Sequence, residues 1–187
     1  MDSVELEKLK YPIGQHHEQT YFSEEDIQHW IRDISSFPEQ LEQITASLTE
    51  EQLEYLHRPD GWTVRQLVHH CADSHMNALM RSKLALTEHK PVVTTYDEVK
   101  WAKLNDSMAA DISSSLEILH GIHQRWTMLL DNLNEAQLKR TFYHPGQRRE
   151  VSLGGVIDHY SWHGKHHLAH IRQALEYKGD FEREYIL

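Results

Sequence analysis

Apolar side chains recur every three to four residues in four long stretches of this chain, the period of a helix that hides one face. The first stretch follows Tyr21-Phe22-Ser23. Ser23 can cap it, Glu24, Glu25 and Asp26 suit the positive end of a helix, and Ile27, Trp30, Ile31, Ile34, Leu41 and Ile44 supply the stripe. Pro38 removes a backbone N–H from its middle, so a kink or break is expected near Phe37. The second opens at Gly61-Trp62-Thr63 with Thr63 as N-cap and runs to about Thr87, before Pro91. The third spans Ser113 to Leu133 on Leu116, Leu119, Ile122, His123, Trp126, Leu129 and Leu130. The fourth is capped by Ser152 and runs to about Lys178, where Gly179 stops it.

Four helices of this length predict an all-α fold, a four-helix bundle with long connecting loops, built as a single domain over residues 1–187. Thr141 to Val151 could form a short hairpin around His144-Pro145-Gly146. Residues 47–62, 89–112 and 134–151 can reach across a bundle end, where loops often build sites. A weak echo links two of them: Leu48-Thr49-Glu50-Glu51-Gln52-Leu53 precedes the second helix, and Leu133-Asn134-Glu135-Ala136-Gln137-Leu138 the fourth. Related helix pairs and a common one-turn helix start explain the echo equally well.

Charge narrows the partners. With 29 acidic against 19 basic residues, the net charge of −10 repels phosphate backbones and anionic lipids, so no nucleic acid or membrane is expected. No apolar run approaches a membrane span, and the first ten residues alternate charges unlike a secretory signal. Cys71 is alone, which excludes an internal disulfide and a Cys-x-x-Cys motif; a cytoplasmic location is expected.

The unusual count is 16 histidines, dispersed rather than gathered in a tag. Trp162-His163-Gly164-Lys165-His166-His167-Leu168-Ala169-His170 is the densest cluster, and helical histidines four apart lie roughly 6 Å from each other, within reach of one metal ion. Three such pairs overlap: His159 with His163, His163 with His167, and His166 with His170. The apolar face of Leu153, Val156, Ile157, Tyr160, Leu168, Ile171 and Leu175 includes His167 at its edge and His163 beside it, while His166 and His159 point further toward solvent. His163 and His167 are therefore favoured, with His170 the main rival. A third ligand must come from another helix. In the second helix, periodicity favours His75, which shares a stripe with Val64, Leu67, Val68, Cys71, Ala72 and Leu79, over His70, which lies off its centre.

The run Gly61 to Asn77, the opening Tyr11-Pro12-Ile13-Gly14, the Tyr96-Asp97-Glu98 loop, Phe142-Tyr143-His144-Pro145 and Trp162 to Ile171 together resemble the DinB-like proteins of YfiT type. That resemblance implies one ligand eight residues after the tryptophan of the second helix, which is His70, and a His-x-x-x-His pair in the last helix, which is His163 and His167. It further implies an up-down-down-up bundle, one zinc or nickel ion per subunit, a cytoplasmic location and a homodimer.

Three neutral imidazoles leave a tetrahedral ion one open position, whereas structural zinc sites usually fill all four with protein atoms. Water there would titrate near neutrality and attack a carbonyl, giving a metal-dependent hydrolase. The resemblance also implies an alternative, transfer of a low-molecular-weight thiol such as bacillithiol to a small-molecule electrophile. A non-enzymatic module with a structural ion is the third reading. Asp73, Asp158, Glu98 and Tyr160 are candidate bases, and the two aspartates could instead orient a ligand histidine. The five tryptophans, including Trp62 and Trp162, read as packing, and His57, His89, His120, His123 and His144 as structural or solvated.

Overall fold

The computed structural model describes residues 3–19 and 21–180. Four long helices form its body: α2 (Glu24–Thr45), α4 (Val64–Thr87), α7 (Ser113–Leu130) and α9 (Leu153–Tyr177). Shorter pieces are α1 (Ser3–Lys10), α3 (Glu50–Leu53), α5 (Glu98–Trp101), α6 (Asn105–Ala109) and α8 (Glu135–Leu138). A small antiparallel hairpin joins β1 (Thr141–His144) to β2 (Arg149–Ser152), with Thr141 opposite Ser152. Segment 91–93 runs beside it: Tyr143 N donates to the Pro91 carbonyl at 2.9 Å and Val93 N to the Tyr143 carbonyl at 3.1 Å.

Local chemistry places the helix starts. At α2 the Ser23 hydroxyl accepts from the Asp26 N–H and the Asp26 carboxylate accepts from the Ser23 N–H, and Thr63 with Gln66 repeats this capping box at α4. Ser152 caps α9 through the Gly155 N–H, and the helix ends on Lys178 in the left-handed conformation, φ 56°.

The break expected at Pro38 does not occur, and α2 is continuous from Glu24 to Thr45. Proline leaves the Ile34 carbonyl without its usual donor one turn later. The Nδ1–H of His123, reaching in from α7, donates to that carbonyl at 2.6 Å.

The closely packed pairs run in a ring, α2 to α9, α9 to α4, α4 to α7 and α7 to α2. Helices α2 and α4 therefore lie diagonally although they are consecutive, which requires the long connection between them. Two apolar clusters fill the interior. One gathers Ile31, Ile34, Trp126, Phe142 and Ile157, the other Phe37, Leu41, Leu67, Leu119 and Ile171. Each such side chain, when fully buried, stabilises the fold by roughly 1.5–3 kcal/mol. Between the clusters lies a layer of histidines: the His75 ring meets Phe37 on one side, and Trp126 and Tyr160 on the other.

The N-terminal segment is a strap across α9. Gln173 Nε2 donates to the Leu9 carbonyl at 3.0 Å and His170 Nε2 to the Lys10 carbonyl at 3.1 Å. Among the described residues no helix is long and apolar enough to cross a membrane.

Candidate metal centre

His70 from α4 and His163 and His167 from α9 each bring a donor nitrogen into one group, all within 4.8 Å of one another. Their ring centroids are 5.4 Å (His70 to His163), 4.9 Å (His70 to His167) and 4.5 Å (His163 to His167) apart. The two on α9 share a face because four residues make about one turn. All three are buried. Burial brings the His70 imidazolium down to about 4, and burial with mutual repulsion among the histidines holds His163 and His167 well below their ordinary value. The cluster is therefore neutral at physiological pH, the form that offers a lone pair to a metal.

Periodicity pointed to His75 as the third ligand, and the structure gives it a different place. His75 is fully buried and both its ring nitrogens are engaged: Nδ1 faces His123 Nε2 at 2.6 Å, and Nε2 faces His163 Nδ1 at 3.1 Å. The direction of these bonds follows from their end point, since a carbonyl only accepts. His123 donates its Nδ1–H to the Ile34 carbonyl, so neutral His123 accepts at Nε2 from the Nδ1–H of His75. His75 then accepts at Nε2 from the Nδ1–H of His163, which leaves the lone pair of His163 on Nε2.

His167 is set in a similar way. His170 spends its Nε2–H on the Lys10 carbonyl, leaving a lone pair on Nδ1, 3.5 Å from Nδ1 of His167. A proton on His167 Nδ1 satisfies that contact and again leaves Nε2 for a metal. Histidines, not the carboxylates considered from the sequence, orient both α9 histidines of the candidate centre. Asp158 instead engages His16 and the Gln19 N–H, each at 3.1 Å, and Asp73 contributes a backbone carbonyl to Asn77.

A second group, His166, His167 and His170, also lies within reach of one ion. It shares His167, and a neutral imidazole has one lone pair, so the two groups exclude each other. The first is the one whose members all line a cavity of about 360 Å³, which His170 does not. His166 was expected to face solvent, but it is buried: its ring stacks on Trp162 at 4.3 Å and lies 6.0 Å from that of Tyr11 in the strap. Its Nδ1 has no hydrogen-bond partner among the described residues.

The cavity also shows what periodicity missed. Trp62, packed against the second apolar cluster as expected, also forms a wall of it with Trp162; His144 and His159 line it, and Ser74, Arg81 and Tyr160 complete its inner face. Thr95, Glu98 and Gln147 line it from the exposed connections. Long loops were the available signal, since helical periodicity is silent on them. Of the four candidate bases, Glu98 and Tyr160 reach the cavity, whereas Asp73 and Asp158 do not line it. His57 and His123 are structural as expected, His57 holding the Trp62 carbonyl with Nδ1 at 2.8 Å.

The pattern of the DinB superfamily matches residues 34–171 of this chain, a span that includes His70, His163 and His167. The chain belongs to the DinB superfamily. Its relatives include a protein of Halalkalibacterium halodurans, 49% identical over 89% of this chain and 96% of the relative. YfiT of Bacillus subtilis is 45% identical over 91% of this chain and 96% of its own length. Both carry the provisional name of metal-dependent hydrolase. The solved structure of Bacillus subtilis YfiT, described as having an unusual four-helix bundle topology, superposes with a TM-score of 0.89 at 44% identity, covering 92% of this chain and 98% of that one. The bundle of this DinB protein is thus the fold of that relative.

Proposed function

We propose that this DinB protein is a metal-dependent hydrolase holding one divalent ion, zinc by preference, on His70, His163 and His167. The observation that carries the reading is three neutral imidazoles, their donors within 4.8 Å, on the wall of a cavity of about 360 Å³. When bound, such an ion supplies a Lewis acid and an activated water at a position the protein leaves open. Among the described residues no carboxylate or thiol joins this group as a fourth donor. Nickel also accepts imidazole and is the alternative ion.

The chain's own residues define the rest. Glu98 is the candidate base: desolvation beside the cavity, with Asp97 nearby, raises its carboxyl and brings it closer to a working pH. Tyr160 is held in place, its hydroxyl donating to the Ser74 carbonyl at 3.0 Å. Trp62 and Trp162 offer flat apolar walls to an organic substrate.

The test is incubation of metal-loaded protein with panels of esters and amides, and in parallel with low-molecular-weight thiols plus a model electrophile, followed by mass spectrometry. Hydrolysis lost on chelation and regained with zinc is the expected result. Thiol conjugation without hydrolysis replaces this reading with a thiol transferase, and neither activity leaves a structural or binding module. A cytoplasmic homodimer belongs to the same proposal. The buried Cys71, whose thiol burial pushes up and keeps inert, fits a reducing compartment, and sedimentation of the purified protein reads the dimer.

A further inference from the structure

One charged side chain in the cavity has no counterpart. Arg81 lies on the same face of α4 as His70 and Ser74 and lines the same cavity as the three-histidine group. It is only 9% exposed. Its Nη2 donates to the Thr94 carbonyl at 2.9 Å, while its Nε has no hydrogen-bond partner among the described residues. None of the ion pairs among those residues involves it. The contrast within α4 is direct: Arg65, equally buried, holds Glu50 and Glu54 with its guanidinium.

A buried guanidinium stays charged and is costly to leave without an anion. Glu98 is the one carboxylate on the cavity wall, and it is not that anion. It makes no ion pair with Arg81, and its carboxyl is raised by desolvation and Asp97, the opposite of what an adjacent guanidinium does. The charge is felt in the cavity all the same, since His144 is lowered first by burial and then by Arg81.

We propose that Arg81 is the anchor for a carboxylate on a small molecule that shares the cavity with the three-histidine centre. One planar fork with a free Nε–H matches one carboxylate in two-point contact. A phosphate dianion would call for a second cation; the other titratable groups facing the cavity are neutral histidines, tyrosines and Glu98, and Arg149, on a second pocket that Arg81 also lines, is already paired with Glu18. The substrate class follows: a molecule with its reacting group toward His70, His163 and His167, and a carboxylate further along α4 at Arg81. This end-to-end assignment rests on the metal-dependent reading; the carboxylate contact does not.

Two measurements separate the parts. In metal-free, nitrogen-15-labelled protein, the Arg81 Nε–H resonance, assigned by its loss in Arg81→Lys, is followed during titration with glutarate, with neutral glutaramide and with inorganic phosphate. A saturable shift with glutarate alone is expected. No shift with glutarate, or an equal one with phosphate, overturns the carboxylate assignment. In cobalt-loaded protein, the sulfur-to-cobalt absorption band reports binding of ω-mercapto acids of increasing length and of their amides.

At the best length the acid is expected to bind at least tenfold more tightly than its amide. In Arg81→Met that ratio falls to within twofold while the amide is unchanged. Equal affinities in the wild-type protein, which need no variant to fold, refute the inference, as does a preference that survives Arg81→Met. If cobalt does not bind, the metal-dependent reading fails, and the glutarate titration still decides Arg81.

Discussion

In the proposed three-histidine centre, His75 would govern the site without touching the ion. It holds the Nδ1–H of His163 through Nε2, and its own orientation is fixed by His123. Replacing such an orienting partner typically weakens metal affinity about 10–100-fold. We expect that loss for His75→Phe, and its rescue by His75→Gln, whose side-chain oxygen can stand where Nε2 accepts; competition against a chelator of known affinity measures both. Truncating a ligand is more severe, and His70→Ala, His163→Ala and His167→Ala should each abolish stoichiometric binding in metal analysis. The reason His70 was illegible from periodicity lies in its neighbours. Helix α4 buries polar as well as apolar residues, among them His70, Ser74 and Arg81, and a polar face turned to a cavity has the same sequence pattern as one turned to water. His166 was misread for the same reason, its cover being the strap rather than another stretch of periodic helix.

Elements were far more legible than the residues between them. Ser23, Thr63 and Ser152 cap the helices they were expected to cap, because a hydroxyl before an apolar run satisfies a free N–H wherever it occurs. The echo before α4 and α9 is visible in three dimensions. Asn134 and Gln137 form the same capping box as Thr49 and Gln52, each on a one-turn helix. The pairing of Leu56 with Thr63 then parallels that of Thr141 with Ser152. The crossing of α2 and α9 depends on a residue no periodicity marks: a Cβ at Gly164 would sit 2.9 Å from Cδ2 of Phe37. Gly164→Ala should therefore destabilise the protein by about 1–3 kcal/mol in urea unfolding, as overpacking does. The Pro38 break failed to appear because its remedy, His123, lies on another helix far along the chain, where local reasoning does not reach.

Across the whole molecule, the histidines make the fold sensitive to acid. Burial takes His57 to about 3 and His123 to about 4, while in the unfolded chain both titrate near 6.5. The unfolded state binds more protons in that interval, so stability is complete above about pH 6.5 and falls as pH drops toward 4. The slope is up to about 1.4 kcal/mol per pH unit for each such histidine. Urea midpoints measured on metal-free protein between pH 7.5 and 4.5 should decline accordingly, and a flat profile would show that these imidazoles are not held neutral.

The line of hydrogen bonds from Ile34 through His123 and His75 to His163 carries a further consequence for how such a protein can change. Its members can be exchanged for residues that make the same bonds, as His75→Gln does, or removed only together. Pro38→Ala gives the Ile34 carbonyl a backbone donor again, and His123→Leu with His75→Phe removes the two rings that would otherwise be orphaned. The triple variant leaves only the Nδ1–H of His163 unpaired, so it should fold more firmly than His123→Leu or His75→Phe alone while losing the means to aim His163. The proline that looks like a flaw in α2 is thus tied to the candidate site, because the carbonyl it frees is where the line that aims His163 begins.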